Sequence, residues 1–391
     1  MIPEGWQSTE IGKLADFKSG GTPSKAKPEF WGGSNPWISG KDLKQHYISS
    51  SIDMLSEEGF AVVSKAPKGA SLILVRGMTL LKDFPVGFVE KTVSFNQDIK
   101  ALIPKKGIDG LFLSFLLVGK KEEIRQLVST AGHGTGRLDT ESIKSFPVDI
   151  PTLPEQKKIA QILSTWDKAI TTTEQLLANS QQQKKALMQQ LLTGKKRLKG
   201  FGGEWKEKKF GEIFKERVEL GREGLPLLSI TAEDGVVYQD ETGRKDTSNE
   251  DKSKYRRICV NDIGYNTMRM WQGRSSRSDK EGIVSPAYTI VIPNKDIYPK
   301  FAAYLFKHPS LIHVFYRHSQ GLVSDTWNLK FDYFRKISWA FPEFEEQQKI
   351  TAVLSAADRE IDVLQQKLEG LKQEKKALMQ QLLTGKRRVK V

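Results

Sequence analysis

The segment "NTMRMWQGRSSR" at 266–277 concentrates side chains that can contact a nucleic acid. Guanidiniums, an indole and a carboxamide stand close together at Arg269, Trp271, Gln272, Arg274 and Arg277. A guanidinium forks onto a guanine edge or a phosphate, a carboxamide can bind adenine, and an indole can stack on a base. A solvated charged loop is the alternative interpretation, and DNA contact is the one we favour.

In the first half of the chain, three stretches carry further candidates. One loop combines a cation, small hydroxyls and glycines that permit close backbone approach, at Lys18, Ser19, Gly20, Gly21 and Thr22. "SGKDL" at 39–43 places Lys41 in a similar setting. The glycine-rich "AGHGTGR" at 131–137 supplies His133, Thr135 and Arg137. Because phosphate binding needs cations, hydroxyls and exposed amides, we predict DNA contacts here, with ordinary glycine turns as the alternative.

The second half has a counterpart to the last of these stretches. "YRHSQG" at 316–321 occupies the matching position, and its Arg317 and Gln320 can bind phosphates or base edges. Trp6 and Trp205, near the start of each half, fit core anchors better than platforms for base stacking.

Two motifs superficially suggest catalysis or nucleotide binding. "NPW" at 35–37 lacks the second proline of the Asn-Pro-Pro-aromatic motif of amino-methyltransferases. "DFKSGG" at 16–21 lacks the glycine spacing of a nucleotide-binding loop after a buried strand. The five histidines show no zinc-ligand spacing. These absences predict a chain without its own cofactor or metal site.

A third motif suggests a metal nuclease. Asp149, Glu155 and Lys157 have the required residue types, but a repeat of this region carries Ala340 and Gln348 at the positions of the first and third. In the first copy the three residues span a strand-to-helix junction that helix capping explains better. We therefore expect no catalytic residues and no enzyme activity in this chain.

Composition narrows the possible partners. Lys and Arg outnumber Asp and Glu by 61 to 47, a formal net charge of +14. In a folded protein of this size such an excess indicates a polyanionic partner, with nucleic acid first and an anionic membrane surface second. The longest apolar run, at 111–118, is too short to span a bilayer. The single cysteine, Cys259, and an N-terminus without a secretory signal fit a reducing cytoplasm.

The sequence of one predicted helix occurs twice in the chain. "KKALMQQLLTGK" occurs at 184–195 and again at 375–386, and the similarity reaches back to Pro151 and Pro342. In the second copy a four-three alternation marks a heptad seam at Ile350, Leu354, Ala357, Ile361, Leu364, Leu368, Leu371, Lys375, Leu378 and Leu382. The first copy keeps that frame, with polar residues in the middle, at Ile159, Leu163, Trp166, Ile170, Thr173, Leu177, Ser180, Lys184, Leu187 and Leu191.

The ends of these helices are also marked. Thr152 and Glu155 have capping-box spacing, and Gly194 and Gly385 stand where a helix would end on a left-handed residue. Each helix is then about 38 residues, or roughly 55 Å long. The basic segments that follow, at 195–199 and 386–390, suit either the helix dipole or a contact with phosphate or a partner.

The path of the chain predicts how the two helices pair. The first helix leads directly into a second globular segment, and domain termini usually lie near each other. The second helix should therefore begin near the end of the first and run back antiparallel to it. We predict four segments: domains at 1–150 and 200–341, and helices at 151–199 and 342–391.

The globular halves are distant copies of each other. Trp6 and Gly12 are spaced like Trp205 and Gly211, and β-branched runs end at Pro104 in one half and at Pro293 in the other. Helical patterns follow, at 108–128 and 296–316. The predicted fold class is α+β: two mixed α/β domains joined by two long antiparallel coiled-coil helices, with an internal pseudo-two-fold repeat.

This organisation resembles the specificity subunit of type I restriction-modification systems over essentially the whole chain. The motifs that carry the resemblance are "KSGGTPSKAKPEFWGGSNPWISGKDL" at 18–43, the helix starts "PEQKKIAQIL" and "EEQQKITAVL", and the twin "KKALMQQLLTGK" ends. The second half departs from the pattern, because "GREGLPLLSI" stands where a counterpart of "GGTPS" is expected.

The resemblance implies a non-catalytic DNA-binding protein. Each target-recognition domain would read one half of an interrupted, asymmetric site in double-stranded DNA, and the helices would set the gap. Two modification (methyltransferase) subunits would dock on the chain, and motor-nuclease restriction subunits would join the complex. S-adenosylmethionine, ATP and Mg would bind those partners rather than this chain.

Two alternatives use the same residues. A coiled-coil adaptor could bind nucleic acid without sequence preference, its charge serving RNA or a membrane surface. A recognition subunit of a different DNA-methylation defence system would read DNA in the same way with other partners.

Overall fold

The computed structural model describes residues 2–131, 134–220, 224–231, 235–243, 250–323 and 326–390. The chain forms two compact units, Met1–Glu174 with Lys367–Val391, and Gln175–Gln366. Both long helices are divided between the units, whereas the sequence-based segmentation keeps each helix whole. Each unit thus holds one globular domain, the adjoining part of one long helix and a part of the other.

The first unit contains fourteen strands among its described residues. They are β1 Gln7–Glu10, β2 Ala15–Ser19, β3 Trp31–Ile38, β4 Tyr47–Ile48, β5 Asp53–Leu55, β6 Lys65–Ala66, β7 Ser71–Leu74, β8 Arg76–Gly77, β9 Val86–Val89, β10 Val93–Phe95, β11 Ile99–Pro104, β12 Ser129–Ala131, β13 Thr135–Arg137 and β14 Pro147–Ile150. Its helices are α1 Ile11–Leu14, α2 Glu57–Ala61, α3 Gly110–Gly119, α4 Lys121–Arg125, α5 Thr140–Lys144 and the first part of α6 Leu153–Leu191.

The second unit contains ten strands among its described residues. They are β15 Lys206–Lys209, β16 Phe214–Glu216, β17 Leu228–Ile230, β18 Val236–Tyr238, β19 Arg256–Ile258, β20 Ile263–Asn266, β21 Ser275–Arg277, β22 Gly282–Val284, β23 Tyr288–Pro293 and β24 Ser338–Phe341. Its helices are α7 Phe210–Ile213, α8 Pro299–Leu305, α9 Pro309–His318, α10 Phe331–Phe334 and the first part of α11 Phe344–Leu382. The mixed helix-and-sheet fold class is confirmed.

In each domain the first strand pairs with the last strand. β1 pairs antiparallel with β14, so that Gln7 faces Ile150, and β15 pairs with β24, so that Lys206 faces Phe341. The next strands, β2 and β16, lie against β11 and β23, which are the strands that end at proline. In both domains the strand that leads into a long helix is therefore hydrogen-bonded to the first strand of the domain.

The glycines aligned from the sequence occupy equivalent tight contacts. A side-chain carbon at Gly12 would lie 3.0 Å from Cβ and 3.1 Å from the carbonyl oxygen of Lys144. At Gly211 the same atom would lie 3.1 and 3.2 Å from those atoms of Arg335. Because both contacts include backbone, neither site accommodates a side chain without a shift, and this explains why the two copies share glycine.

Each unit has its own core, and the long helices contribute to it. In the first unit Ile159 and Leu163 of α6 and Leu382 of α11 join the cluster formed by the sheets and α3. In the second unit the core is rich in phenylalanine, with the rings of Phe210 and Phe334 4.9 Å apart. The helices are therefore folded into the domains rather than attached to their surfaces.

The two long helices have the same length, 39 residues. The apolar seam residues are buried or half-buried in both, at Ile159, Leu163, Ile170, Leu177, Leu187, Leu191, Ile350, Leu354, Ile361, Leu368, Leu378 and Leu382. Polar seam residues are accommodated by hydrogen bonds: the hydroxyl of Ser180 donates to Glu360 at 3.0 Å, and that of Thr173 to the Ala169 carbonyl at 2.8 Å.

Ion pairs show the direction of the helices within the first unit. Glu155 pairs with Arg388, Asp167 with Lys375 and Glu174 with Lys372. The residue number falls in the partner as it rises in α6, so the two segments are antiparallel.

The second unit repeats this arrangement with the roles of the helices exchanged. Glu346 of α11 pairs with Arg197, and Asp358 pairs with Lys184 of α6. These four residues align, position for position, with Glu155, Arg388, Asp167 and Lys375 of the first unit. The helix segments are antiparallel here as well.

The helix ends have two features that bear on the sequence analysis. Gly194 and Gly385 adopt left-handed backbone with φ of 70° and 68°, as their position after the helices predicts. Both carboxylate oxygens of Glu155, interpreted above as part of a capping box, accept hydrogen bonds from Arg388. Its carboxylate therefore joins the start of α6 to the residues that follow α11. One arginine of each basic segment, Arg197 and Arg388, is thus engaged in an ion pair within the chain.

Candidate nucleic-acid interface

In the first unit, the segment predicted as a loop at 18–22 begins as strand, because Lys18 and Ser19 are the last residues of β2, and it is held by residues in and just before β11. The ammonium of Lys100 donates to the hydroxyl of Ser19 at 2.6 Å, and the hydroxyl of Thr22 donates to Gln97 at 2.6 Å. Gly20 passes so close to Phe95 that a side chain would meet its carbonyl oxygen at 2.4 Å. Lys18, Ser19 and Thr22 are exposed, so the loop presents cation and hydroxyls on a rigid base.

The "AGHGTGR" stretch is a strand hairpin rather than an irregular loop. β12 pairs with β13, so that Ser129 faces Arg137, and β13 in turn pairs with β8. Gly136 is buried against Leu80, and the Arg137 side chain is exposed while Thr135 is half-buried. His133 lies outside the described residues.

A cavity of about 290 Å³ joins the hairpin to the strand beside the loop. It is lined by Val75, Arg76, Gln97, Lys100, Arg137, Leu138, Asp139 and Thr140. Three of its residues are cations, and the same Gln97 and Lys100 hold the 18–22 loop. The backbone N–H of Ser142 holds the pKa of Asp139 below its usual range, and Arg137 adds to this effect. The cavity is therefore a cationic depression between two predicted contacts.

Lys41 lies in a separate turn of the same unit. The Asp42 carboxylate organises this turn by accepting from the backbone N–H groups of Ser39 and Ile52, both at 2.8 Å. Lys41 is exposed. A side-chain carbon added at Gly40 of the turn or at Gly77 of β8 would lie 3.3 Å from a methyl group of Leu74, so the turn and β8 pack against the same side chain.

In the second unit, the predicted segment runs from the last residue of β20 through a single 3-10 turn, Met270–Gln272, into β21. Met270 is fully buried, while Arg269 and Gln272 are exposed. The indole N–H of Trp271 donates to the Met268 carbonyl at 3.0 Å and so fixes the ring. The buried methionine anchors the turn, and the polar side chains of the turn are exposed to solvent.

An aromatic cluster connects this turn to the second predicted stretch. The rings of Trp271 and Trp327 are 5.3 Å apart and edge-to-face, and those of Trp327 and Tyr316 are 4.9 Å apart. Arg317, next to Tyr316 near the end of α9, is exposed. The backbones of Gln320 and Asn328 exchange two hydrogen bonds of 2.8 Å. The structure thus brings the 269–272 turn and the 316–320 stretch together.

The two remaining arginines of the predicted segment differ in how exposed their side chains are and in the hydrogen bonds that they already make. Arg274 is exposed and helps to lower the pKa of Lys307, whose burial is the larger cause. Arg277 is half-buried and donates to the Asn261 side chain at 3.0 Å and to the Ser278 carbonyl at 3.2 Å. Contact with DNA by Arg277 would require replacing these bonds.

Five residues at these surfaces were missed from the sequence: Arg76, Gln97, Lys100, Tyr316 and Trp327. Lys100 lies within the run "DIKALIP" at 98–104, which has the pattern of a core strand, and Gln97 directly precedes that run. Tyr316 and Trp327 have the residue type of core aromatics. Only pairing across the fold puts them next to the predicted contacts. Which residues touch DNA stays a prediction for all of them.

The described residues hold neither a helix that could span a membrane nor a cluster of metal ligands. None of the helices there is long and apolar enough to cross a membrane. Within the same residues, no three His, Cys, Asp or Glu side chains gather as ligands for a metal ion.

Comparison with known proteins identifies the fold. Residues 3–179 match the model of the type I restriction modification DNA specificity domain. The chain is 32% identical over 160 residues to the EcoR124I/EcoR124II specificity subunit of Escherichia coli, a match that covers 40% of each protein. It is 25% identical to the MjaVIII specificity subunit of Methanocaldococcus jannaschii over its full length and 94% of that protein.

Solved structures extend the likeness to the second half. The S subunit of a type I system from M. genitalium superposes with a TM-score of 0.61 at 17% identity, over 98% of this chain and 99% of that one. The HsdS subunit from Thermoanaerobacter tengcongensis gives a TM-score of 0.52 at 14% identity, with 98% of each chain covered. At these identities the structures establish the fold alone. The first half of this chain is thus similar to the type I restriction modification DNA specificity domain, and the whole chain shares its fold with the S and HsdS subunits of known structure.

Proposed function

We propose that the chain is the sequence-specific DNA-binding subunit of a type I restriction-modification complex. Each unit reads one half of a bipartite, asymmetric site in double-stranded DNA. The paired helices set the gap and dock two modification subunits, and motor-nuclease subunits join in the cytoplasm. The chain itself is non-catalytic; S-adenosylmethionine, ATP and Mg bind the partner subunits.

One observation carries this proposal: the paired helix segments of the two units, here called the helix frames, match each other, whereas the exposed surfaces of the two globular domains differ. The frames share a buried glutamate bound to an arginine and an aspartate bound to a lysine, in both units. The surfaces differ, with the Arg137 hairpin and cationic cavity in one unit and the Trp271–Trp327–Tyr316 cluster in the other. Constant frames with unlike surfaces suit a protein that reads two unlike sequences at a fixed separation.

The charge distribution at these surfaces supports DNA as the ligand. Arg76, Lys100 and Arg137 meet in one cavity of the first unit, and Arg269 and Arg317 flank the aromatic cluster of the second. Cations bind phosphates and release counterions, whereas forked guanidiniums and carboxamides can discriminate bases. Each unit has cations that can bind phosphates and also guanidiniums and carboxamides that can bind base edges. This combination favours recognition of a DNA sequence over binding by charge alone.

The test is exchange of one recognition domain. Replacing residues 1–150 with the corresponding domain of another specificity subunit should change one half-site and leave the other half-site and the gap unchanged. The site is read by selecting bound duplexes from a random library with the complex of this chain and its modification subunits. A change in both half-sites would contradict the modular assignment. Selection of no motif by the parent complex would favour the adaptor that binds without sequence preference.

A further inference from the structure

A repeated aspartate–lysine pair joins the two long helices in each unit. Asp167 of α6 is bound by Lys375 of α11 in the first unit, and Asp358 of α11 is bound by Lys184 of α6 in the second. The side chains of the first pair are each 17% exposed. Since the lysine occupies one carboxylate oxygen, the other oxygen remains available as an acceptor.

In each unit that acceptor is used by a tyrosine of the globular domain. The hydroxyl of Tyr47 donates to Asp167 Oδ2 at 3.2 Å, and the hydroxyl of Tyr304 donates to Asp358 Oδ2. Tyr47 lies in strand β4, whereas Tyr304 lies in helix α8. The two domains thus reach the same position of the repeated helix from elements that are not equivalent.

Both phenols are held as donors. Burial raises the pKa of Tyr47, and Asp167 raises it further. Burial is also the larger cause of the raised pKa of Tyr304, followed by its hydrogen bond to Asp358. Each phenol therefore keeps its proton and donates to a carboxylate that is also paired with a lysine, and a hydrogen bond of this charge-assisted kind is stronger than one between neutral groups.

The aromatic surroundings orient each contact. In the first unit Lys375 lies 5.2 Å from the centre of the Phe115 ring, and that ring stacks on His46, the neighbour of Tyr47, at 4.9 Å. In the second unit Lys184 lies 5.9 Å from the centre of the Tyr304 ring. The hydroxyl of Ser355 is 3.1 Å from that of Tyr304.

A buried glutamine supplies a second attachment at the start of each helix. Gln156 accepts from the Asp109 backbone N–H at 3.0 Å, and Gln347 accepts from that of Tyr298 at 2.8 Å. Gln156 precedes Asp167 by three turns of helix, roughly 16 Å. One attachment leaves a domain free to pivot about the helix start, whereas two attachments at this separation fix its angle.

We propose that Tyr47 and Tyr304 are positioning residues that fix the angle of each recognition domain on the helix segments of its own unit. This restricts the complex to one gap between half-sites. The inference rests on the proposed function and adds to it the residues that determine gap selectivity. It assigns no base contact to either tyrosine.

The experiment compares the gaps that are methylated by variant complexes. Full-length Tyr47→Phe and Tyr304→Phe are expressed with their modification subunits in a host without its own systems, and methylated sites are mapped by single-molecule sequencing. Tyr288→Phe is the matched control, because its hydroxyl donates to the Ile230 carbonyl at 3.2 Å within the globular part of the second unit. Thermal unfolding of each chain confirms that the variants are folded.

We expect the same half-sites in every variant and a relaxed gap in the two test variants. The preference for the native gap over a gap one base pair longer or shorter should fall about tenfold, the effect of losing one hydrogen bond to a charged acceptor. Tyr288→Phe should keep the native preference. An unchanged single gap in both test variants would overturn the inference, as would loss of all methylation in folded variants. Absence of any motif with the parent chain would instead count against the proposed function.

Discussion

Arg388 binds Glu155 through two hydrogen bonds of 2.8 Å, one from Nε and one from Nη2. Arg197 binds Glu346 through the same two atoms at 2.7 Å. Each bond joins the residues that follow the end of one long helix to the first turn of the other. A helix copy must therefore supply an arginine at its end and a glutamate at its start, and this explains why the chain repeats both ends so closely.

Removing one arginine should destabilise the fold, because it leaves a buried carboxylate without a partner. Glu346 is 1% exposed and Arg197 is 25% exposed. For Arg197→Ala we expect the free energy of unfolding to fall by about 2 kcal/mol, between the values for exposed and fully buried pairs. Urea unfolding of the full chain measures this change.

The neighbouring Lys196 provides the control for this prediction, since its side chain is exposed. Lys196→Ala removes the same charge and should leave the stability within about 0.5 kcal/mol of the parent. Equal stability of the Arg197→Ala and Lys196→Ala chains would show that the pair adds nothing to the fold.

His46 should make the stability depend on pH. Burial lowers its pKa from 6.5 to about 4; Asp167 opposes this shift and Lys375 adds to it. Because the folded pKa is the lower one, the unfolded chain binds more protons between these values, so stability is full above pH 6.5 and falls as the pH drops toward 4. Between about pH 7.5 and about pH 5 this one group should cost about 2 kcal/mol.

The variant His46→Phe keeps a ring against Phe115 and removes the titration. Over the same pH interval, the free energy of unfolding of this variant should fall by about 2 kcal/mol less than that of the parent. Urea unfolding at each pH measures the difference. Replacing the exposed His313 in the same way should leave the parent's pH dependence unchanged. Parallel pH profiles for parent and His46→Phe would refute this assignment.

The regular elements could be predicted because their patterns are local. The long helices follow the heptad seam, and β11 and β23 end at the prolines that mark them in the sequence. The helical pattern predicted at 296–316 is present, but it is divided into α8 and α9, which are separated before Pro309. Proline lacks the N–H that a helix interior requires, so it begins a new helix instead.

Arg137 should contribute to one half-site only. It is exposed beside the cationic cavity of the first unit. If it contacts a base, Arg137→Ala should weaken binding of that half-site by about tenfold or more and leave the second half-site unchanged. Fluorescence competition with duplexes that carry one intact and one scrambled half-site measures the two effects separately.

Lys106 provides a charge-matched control. It is exposed just beyond the end of β11, the strand that carries Lys100 near its beginning. Lys106→Ala should bind both half-sites like the parent, and Trp327→Ala in the second unit should weaken only the other half-site. Equal losses at both half-sites for Arg137→Ala would assign this arginine to general charge attraction.

The candidate contacts were harder to predict than the elements that carry them. Residue type alone is enough to make Arg269, Trp271 and Arg317 candidates, since such groups serve few purposes on a basic surface. It did not show that Trp327 packs between Trp271 and Tyr316, because that contact depends on the folding of α9 against the 3-10 turn. The Tyr47–Asp167 bond, which joins residues far apart in sequence, was equally hidden.

Lengthening the paired helices should lengthen the gap. Four residues inserted in α6 between Thr173 and Ser180, with four in the facing part of α11, add about 6 Å and just over one turn. We expect a gap about two base pairs longer with both half-sites unchanged, as read by duplex selection. Four residues inserted instead in the exposed 202–203 segment between helix and domain should leave the gap as it was. A changed half-site would refute the spacer role of the helices.

The most direct test of the central claim is single-molecule sequencing of genomic methylation in a host without its own systems that expresses this chain with its modification subunits. We expect one bipartite motif: two different short sequences at a fixed gap, with a modified adenine in each. Stable binding of the modification subunits without any methylated motif would contradict it and would favour the adaptor without sequence preference.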